Sequence, residues 1–332
     1  MSSASWWLLA GLVLTSPALA QPFLYVANQA TDSVQVINTL DNAIVRTIRT
    51  PFSPAGIAIS ADGTRAYVPN AGSNSLLVIN AANGAVLANL GLGQQAPVAA
   101  VLTPNGQRVF VANTVSGTVS VINTANFALL ANVRAGFSPI ALAVRPDGSR
   151  VYVANASSGD VTVINTANNQ VVRTTQVCPG PAGITTTPDN NYAYIACPGT
   201  NSIVQLELDT NEVITRFDIG RAPVNISISP DGSTGFVTTS GSTTIIVFNT
   251  LANTVTNTLE LPVCLGARCS SAGVAHTANG RFAYVADPSS DMVHVINTDT
   301  KAVVSSIRVE GGPRGVTMSP PAPAPDAVEV EQ

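Results

Sequence analysis

Charged and aromatic residues are scarce in this chain: 10% of its 332 residues are Asp, Glu, Lys or Arg, and 5% are aromatic. Hydrophobic residues make up 45% of the chain, which excludes the low-hydrophobicity, high-charge composition of disordered proteins. Long hydrophobic runs are also missing, since no uninterrupted apolar stretch reaches the roughly 20 residues that a membrane-spanning helix needs. The sequence therefore indicates a globular protein with a large core and no transmembrane segment.

Positive charge is in short supply as well. The chain has 15 Lys and Arg against 19 Asp and Glu, a formal net charge of −4. Three of the acidic residues, Asp326, Glu329 and Glu331, lie close to the C-terminus. The remainder is nearly neutral and lacks the basic stripe that phosphate backbones and anionic membrane surfaces require. We expect neither nucleic acid nor a membrane surface to be a partner.

The first 20 residues have the pattern of a secretory signal peptide. Residues 6–14 are apolar but too few to span a bilayer, and small residues at Ala18 and Ala20 mark a cleavage site. One feature is atypical, because no Lys or Arg precedes the apolar segment. No cysteine lies near the cut, which argues against a lipoprotein anchor. We expect cleavage after Ala20 and export to the periplasm, the medium or the cell surface.

A tetrapeptide similar to YVAN recurs seven times along the chain. Its copies begin at Tyr25, Tyr67, Phe110, Tyr152, Tyr194, Phe236 and Tyr284. Four of the spacings are 42 residues, one is 43 and the last is 48. A turn of the PDG type precedes all copies but the first, and a segment ending in VIN follows most of them. The chain is therefore built from internal repeats.

Each repeat has the pattern of four short antiparallel strands, which we name A to D in chain order. The segments are too short for helices, are rich in Val, Ile and Thr, and are interrupted by Gly or Pro about every ten residues. Four strands at a period in the low forties are typical of a β-propeller blade.

The ends of the chain predict how the ring closes. The first repeat begins at strand B, and the chain ends with a strand A at residues 315–319 that has no strand B after it. Pairing this strand with the three N-terminal strands completes a seventh blade and covers two exposed edges. We predict an all-β, seven-bladed β-propeller of four-stranded antiparallel blades over residues 21–319. Residues 320–332 form a Pro-rich, acidic tail that we expect to be disordered.

The repeats resemble those of the YVTN-family β-propellers. The copies YVAN, YVPN, FVAN and YVAD, set between PDG-like turns and VIN, carry the resemblance over residues 23–319. It implies an exported or surface protein, and some similar proteins accompany periplasmic quinone-dependent oxidation systems or cell-surface layers. Similar seven-bladed folds also include lactonases and a lyase that acts on a cyclic antibiotic. A fold shared so widely does not define an activity.

Two sets of repeated polar residues could be ligands but are better explained as turn formers. The first set ends strand B and could form a ring of amides: Asn28, Asn70, Asn113 and Asn155. The second set lies in the A–B turns: Asp62, Asp147, Asp189 and Asp231. Asn and Asp side chains commonly bond to nearby backbone at turns, so we expect both sets to be architectural.

The four cysteines depart from the repeat. Cys178 stands where another repeat has Gly136, and Cys197 replaces the strand-B Asn of the same unit. Loops D–A and B–C emerge on one face of a propeller, so we predict a Cys178–Cys197 disulfide in an oxidising compartment. Cys264 and Cys269 lie in the expanded spacing and are predicted to form a second disulfide. A four-Cys metal site is the alternative, but the spacing is not C-x-x-C.

The two histidines suggest one catalytic hypothesis. His276 replaces an apolar residue of strand A in the unit with the expanded spacing, and Asp287 replaces the usual Asn of the same unit. They could form a His/Asp pair near the axis that acts as a base or a ligand, or His276 could be a hydrogen-bonded core residue. His294 is expected at a polar edge of strand C. Nucleophile elbows, phosphate loops and HExxH are absent, and we expect no metal and no cofactor.

The strongest departures from the repeat cluster on the face formed by the D–A and B–C loops. We predict that this face binds a partner, with five candidate residues: Arg221, Arg268, His276, Asp287 and Arg314. The favoured function is a monomeric, exported, non-catalytic propeller that recognises a protein or a carbohydrate. The alternatives are an accessory protein of a periplasmic quinone-dependent oxidation system, and a lactonase- or lyase-like enzyme that uses these residues.

Overall fold

The computed structural model describes residues 22–262 and 271–320. Three segments lie outside the described residues: the predicted signal peptide at residues 1–20, the residues from 321 onward, and the segment that holds Cys264, Arg268 and Cys269. None of the described residues forms a helix long and apolar enough to cross a bilayer.

The described residues form 28 strands in seven four-stranded antiparallel sheets, together with a single 3-10 turn at Pro198–Thr200. The predicted all-β, seven-bladed propeller is confirmed.

Within each blade the strands follow in the order A, B, C and D from the axis outward. The A strands are β4 (Ala58–Ile59), β8 (Pro97–Leu102), β12 (Pro139–Val144), β16 (Ile184–Thr186), β20 (Pro223–Ile228), β24 (Val274–His276) and β28 (Pro313–Met318). The B strands are β1 (Phe23–Asn28), β5 (Arg65–Asn70), β9 (Arg108–Asn113), β13 (Arg150–Asn155), β17 (Tyr192–Cys197), β21 (Thr234–Thr239) and β25 (Phe282–Asp287). The C strands are β2 (Ser33–Asn38), β6 (Ser75–Asn80), β10 (Thr118–Asn123), β14 (Asp160–Asn165), β18 (Ser202–Glu207), β22 (Thr244–Asn249) and β26 (Met292–Asn297). The D strands are β3 (Ala43–Arg49), β7 (Val86–Gly91), β11 (Leu129–Arg134), β15 (Val171–Gln176), β19 (Val213–Asp218), β23 (Thr254–Glu260) and β27 (Ala302–Arg308).

Strands B and C are rich in apolar residues and largely buried because neighbouring blades cover both of their faces. In β9 every residue except the first is buried, whereas β15 on the outer rim is exposed along most of its length. The described core consists of seven clusters, and each cluster combines side chains of two successive blades. The blades are therefore stabilised by their neighbours rather than by separate cores.

The aromatic residue that begins each YVAN copy connects one blade to the next. The hydroxyl of Tyr152 donates to the carbonyl of Leu208 at 3.1 Å, and that of Tyr25 donates to the carbonyl of Ala81. Burial raises the pKa of Tyr152 to about 12, so the hydroxyl keeps the proton that it donates. Tyr25, Tyr152 and Tyr194 therefore fill their junctions and also satisfy a turn carbonyl of the following blade.

Two copies carry Phe at this position, and a cation takes over the missing hydrogen bond. Beside Phe110, the guanidinium of Arg108 donates to the carbonyl of Thr166. Beside Phe236, the ammonium of Lys301 donates to the carbonyl of Thr298 and lies 5.3 Å from the centre of the ring. The junction thus keeps its hydrogen bond although the residue that supplies it changes.

The C-terminal strand closes the ring as predicted. β28 pairs antiparallel with β1, with Leu24 opposite Met318 and Tyr25 opposite Thr317. The hydroxyl of Ser33 in β2 also donates to the carboxylate of Glu310 at 2.7 Å, just before β28 begins. The first blade is therefore assembled from both ends of the chain.

A chain that ends at Gly311 should not fold cooperatively. It lacks β28, so β1 loses its partner and the cluster between the last and first blades loses Val316 and Met318. We expect aggregation, or a broad thermal transition by circular dichroism. The matched control ends at Pro320, keeps β28 and should melt close to the full-length temperature. A monomeric chain ending at Gly311 with the native transition would contradict this account of closure.

Candidate functional site

The D–A and B–C loops form one end of the ring, which we call the loop face. One position of the D–A loop, two residues before the proline that leads into strand A, changes from blade to blade. Its described residues are Phe52, Gln95, Phe137, Pro179, Arg221 and Gly311. The side chains of Phe52 and Phe137 are 71% and 68% exposed. The loop face therefore presents a variable side chain at the same place in successive blades.

The conformation of the loop fixes this position. Ser53, Ala96 and Ser138 each follow a variable residue and have φ of 60°, 55° and 55°. This left-handed conformation is uncommon for residues other than glycine, and it reverses the chain sharply before the buried proline. The same backbone geometry therefore carries different side chains in different blades.

The Cys178–Cys197 disulfide is present on the loop face, as predicted. It replaces a contact that other blades make without sulfur: a Cβ built on Gly136 would lie 2.8 Å from the amide nitrogen of Asn155. The repeat already brings these two positions together, so two cysteines there can bond without rearranging the backbone. The predicted Cys264–Cys269 disulfide lies outside the described residues.

The strand-B asparagines are structural, but the partners expected for them are wrong in most blades. The side-chain amide of Asn155 donates to Asp160 at 2.7 Å and to Thr162 at 2.9 Å, across to strand C. Only Asn70 bonds to nearby backbone, at the carbonyl of Val68. A signal was present in the sequence, since polar residues recur at both five and seven positions after Asn28, Asn113 and Asn155 but not after Asn70. Alternating residues on a strand share a face, so two residues of strand C meet one amide.

The aspartates of the A–B turns have the role predicted for them. Asp62 accepts hydrogen bonds from the hydroxyl of Ser60 at 2.5 Å and from the backbone and hydroxyl of Thr64. These bonds hold the pKa of Asp62 below its usual value. The carboxylate therefore stabilises the A–B turn.

His276 and Asp287 are not brought together. In the register of β24 and β25, His276 lies opposite Ala283, whereas Asp287 is at the far end of β25. Asp287 is 1% exposed and accepts hydrogen bonds from the hydroxyls of Ser289 and Ser290. His276 therefore faces the beginning of β25, whereas Asp287 is the last residue of β25.

Asp287 instead meets His294, and the expectation that His294 occupies a polar edge is wrong. His294 is 1% exposed; its Nε2 lies 3.5 Å from Asp287 and its Nδ1 lies 2.8 Å from the hydroxyl of Ser306. Burial raises the pKa of Asp287, but the hydrogen bonds from His294, Ser289 and Ser290 outweigh it and lower the pKa to about 2. The spacing of seven residues is that of Asn155 and Thr162, so this pair is the same strand B–C contact made by a carboxylate and an imidazole.

His276 lines a channel of about 630 Å³ along the axis. Most of the described lining is aliphatic, and His276 is its only ionisable side chain. Its Nδ1 lies 2.8 Å from the hydroxyl of Ser227, and its Nε2 is buried without a hydrogen-bond partner. Burial, reinforced by Lys301, lowers the pKa of His276 to about 4. The imidazole is therefore neutral at pH 7, and no carboxylate of the described residues is hydrogen-bonded to it.

The predicted arginines have different outcomes. Arg221 and Arg314 are exposed on the loop face and form no ion pair with a described residue, and Arg221 lies 3.4 Å from the hydroxyl of Ser242. Arg268 lies outside the described residues. Within residues 22–262 and 271–320, no three His, Cys, Asp or Glu side chains are grouped closely enough to share a metal ion.

Sequence reasoning missed two neighbouring pockets on the loop face. One, of about 840 Å³, lies between blades 3 and 4 and contains Val115, Arg134 and Phe137. The other, of about 450 Å³, lies between blades 4 and 5 and contains Arg216 beside Cys178. Ser157, in the B–C loop of blade 4, lines both pockets. The aromatic at the variable D–A position was the available signal.

Replacing the disulfide by Cys178→Ala with Cys197→Ala should lower the free energy of unfolding by about 3 kcal/mol. The bond closes a loop of 19 residues, and the chain-entropy model assigns roughly this stabilisation to such a loop. Urea denaturation of both forms measures the difference. The double variant Cys178→Gly with Cys197→Asn restores the pair found in blade 4 and should be the more stable of the two variants. Unchanged stability in the alanine variant would show that the disulfide does not form in the purified protein.

His276 should make the protein less stable in acid. Its folded pKa of about 4 lies below the unfolded value near 6.5, so both states are neutral at this site above pH 6.5. Between these values the unfolded chain binds a proton that the folded chain excludes, which costs at most about 1.4 kcal/mol per pH unit. The variant His276→Gln should therefore lose less stability than the wild type between pH 7 and pH 4.5. Parallel losses in thermal melts would contradict the buried neutral imidazole.

Comparison with solved structures identifies proteins of the same architecture. A functionally unknown protein from Desulfotomaculum acetoxidans DSM 771 is 20% identical with a TM-score of 0.80, covering 90% of this chain and 99% of that chain. Hydrazine synthase from Kuenenia stuttgartiensis is 20% identical with a TM-score of 0.75, covering 80% and 90%. The dihydro-heme d1 dehydrogenase NirN, in complex with DHE, is 13% identical with a TM-score of 0.65, covering 89% and 74%. At these identities the likeness shows the fold alone.

Family membership rests on the sequence itself. No curated protein is similar enough to this chain to match it. The model of the YNCE-like beta-propeller family matches residues 84–318, which is more than half of the chain. Both the matched residues and the seven four-stranded blades lead to one conclusion: this chain belongs to the YNCE-like β-propeller family.

Proposed function

We propose that this chain is a YVTN-type propeller that is exported and acts as a non-catalytic binding or scaffold protein. It recognises a protein or carbohydrate partner through the loop face and acts as a monomer. The variable position of the D–A loops carries this proposal: a rigid ring presents Phe, Gln, Pro, Arg or Gly at equivalent places. Side chains that vary on a constant scaffold are typical of recognition surfaces.

The opposite face supports the proposal by contrast. Its A–B turns repeat the same hydrogen bonds, since Asp62, Asp147, Asp189 and Asp231 each accept a backbone N–H two residues ahead. Turn residues committed to their own backbone leave little freedom for recognition. The loop face is therefore where one blade differs most from another.

The proposed location rests on the disulfide. A bond between Cys178 and Cys197 forms and persists in an oxidising compartment, which suits the periplasm, the medium or the cell surface. Export would also agree with the signal-peptide pattern of residues 1–20.

The two alternative functions gain no support from the geometry. A lactonase- or lyase-like enzyme would need His276 and Asp287 to act together. His276 in β24 faces the beginning of β25, whereas Asp287 is the last residue of β25. An accessory role in a quinone-dependent oxidation system is a hypothesis from the sequence resemblance, and an adjacent dehydrogenase gene would support it. The likeness to hydrazine synthase and NirN shows a shared fold and gives that hypothesis no further support.

Site-specific photo-crosslinking in the producing cells tests the use of the loop face. A benzophenone amino acid replaces Phe52, Phe137 or Arg221 on this face, or Leu251 in a C–D turn of the opposite face. Leu251 is 93% exposed and is therefore a stringent control for accessibility. We expect discrete adducts from the loop-face positions and none from Leu251. Adducts from Leu251 alone would place recognition on the opposite face and contradict the proposal.

A further inference from the structure

The two pockets that flank the B–C loop of blade 4 form one surface, which we call the paired groove. Ser157 belongs to both pockets, so a ligand lying along the groove would contact blades 3, 4 and 5 in turn. Because the two pockets adjoin at Ser157 and follow one another around the ring, the groove suits a linear ligand more than a compact one.

The walls of the paired groove are fixed before any ligand binds. The backbone N–H of Phe137 donates to the hydroxyl of Ser158 at 3.0 Å, and the hydroxyls of Ser138 and Ser157 are 2.7 Å apart. The second pocket is bounded by the disulfide, because Cys178 is one of its lining residues. The groove therefore loses little conformational freedom when a ligand binds, so that a few contacts can give useful affinity.

Each pocket contains one arginine without a partner. Arg134 lines the first pocket and Arg216 the second, and neither forms an ion pair or side-chain hydrogen bond with a described residue. No described residue lining either pocket carries a carboxylate. An unpaired guanidinium offers a planar fork of donors that matches a carboxylate in bidentate geometry. The groove is thus complementary to a ligand with spaced negative charges.

The other residues that line the first pocket indicate which kind of molecule carries these negative charges. Hydroxyls and small residues dominate, among them Thr114, Ser116, Ser138 and Ser157. The ring of Phe137 is 68% exposed and stands beside them. An aromatic face packs against the C–H face of a sugar ring, while serine and threonine hydroxyls both donate to and accept from sugar hydroxyls.

An acidic peptide fits the groove less well. Peptides are commonly bound by addition to an exposed strand edge or as a helix in a broad apolar groove. The exposed edges here are the D strands, which lie on the outer rim, and the first pocket has only Val115 and Phe137 as large apolar side chains. The hydroxyl-rich lining would leave most peptide side chains without matching contacts.

We propose that the paired groove binds an oligosaccharide of uronic acids. Arg134 and Arg216 hold carboxylates of separate sugar residues, and Phe137 packs against the ring of one of them. This inference rests on the proposed function, since it specifies the partner of the loop face. It commits to the carbohydrate among the two partner classes considered for that face.

Titration calorimetry with hexamers of galacturonate, mannuronate and guluronate tests the inference. At least one hexamer should bind at low salt, and its neutral methyl ester should not. Arg134→Gln, Arg216→Gln and Phe137→Ala should each weaken binding by about tenfold or more, as expected for the loss of a charge-assisted or stacking contact. Rising ionic strength should weaken binding of the hexamer by the wild type. The same rise should weaken binding by the arginine variants less, because each variant has lost one charged contact.

Two matched controls separate these side chains from general effects. Arg281→Gln removes an exposed arginine that forms no ion pair with a described residue on the opposite face, and Leu251→Ala removes an exposed apolar side chain of that same face. Both should bind the hexamer as the wild type does. Thermal melts of every variant confirm that the fold is retained, so that a loss of binding reports the groove.

Several results would overturn the inference. Equal binding of the neutral ester, no binding of any hexamer at millimolar concentration, or tighter binding of a single-stranded oligonucleotide would each exclude an acidic sugar as the ligand. In those cases discrete crosslinks from Phe52 or Phe137 would still uphold the loop face as a recognition surface. Hexamer binding lost only in Arg281→Gln would contradict both this inference and the proposed function.

Discussion

The packing of one blade against the next is the interaction on which this structure depends. Each junction is filled by the aromatic of the YVAN copy and apolar neighbours, and the aromatic hydroxyl also satisfies a carbonyl of the following blade in cases such as Tyr152 and Leu208. Leaving that buried carbonyl unpaired would cost roughly 1–3 kcal/mol, which explains why Arg108 or Lys301 takes over where the aromatic is Phe. Since every blade needs two neighbours, the ring also needs β28 to supply the last junction.

This dependence confines variation to the ends of the blades. Strands B and C are buried on both faces, so a change there alters two junctions at once and leaves a cavity or a clash. The loops have no such double constraint, and the position occupied by Phe52, Gln95 or Phe137 can change without altering the left-handed residue that follows it. The fold therefore separates the residues that maintain it from those free to contact a partner.

Periodicity made most of the fold predictable from sequence, because every blade repeats the same strand order and the unpaired strands at the two ends leave one economical closure. The Cys178–Cys197 disulfide was predictable for the same reason, as two exceptions at positions that the repeat brings together. The pairing of His276 with Asp287 failed because sequence proximity on a hairpin does not say which end of the strand a side chain occupies. His294 was misplaced because its buried partners belong to strand B and strand D. The paired groove depends on loop conformations, which the spacing of repeats does not determine.

The disulfide lies in a loop outside the sheets. Cys178 has no strand partner, and the backbone N–H groups of Val177 and Cys178 share one acceptor, the carbonyl of Gly159, at 3.0 and 3.3 Å. Segments of this kind open at lower free energy than the strands they connect. A covalent bond to β17 limits that opening at a wall of the paired groove, where a ligand would otherwise have to order the loop itself. In this way a departure from the repeat that stabilises one blade also preserves the shape of the surface beside it.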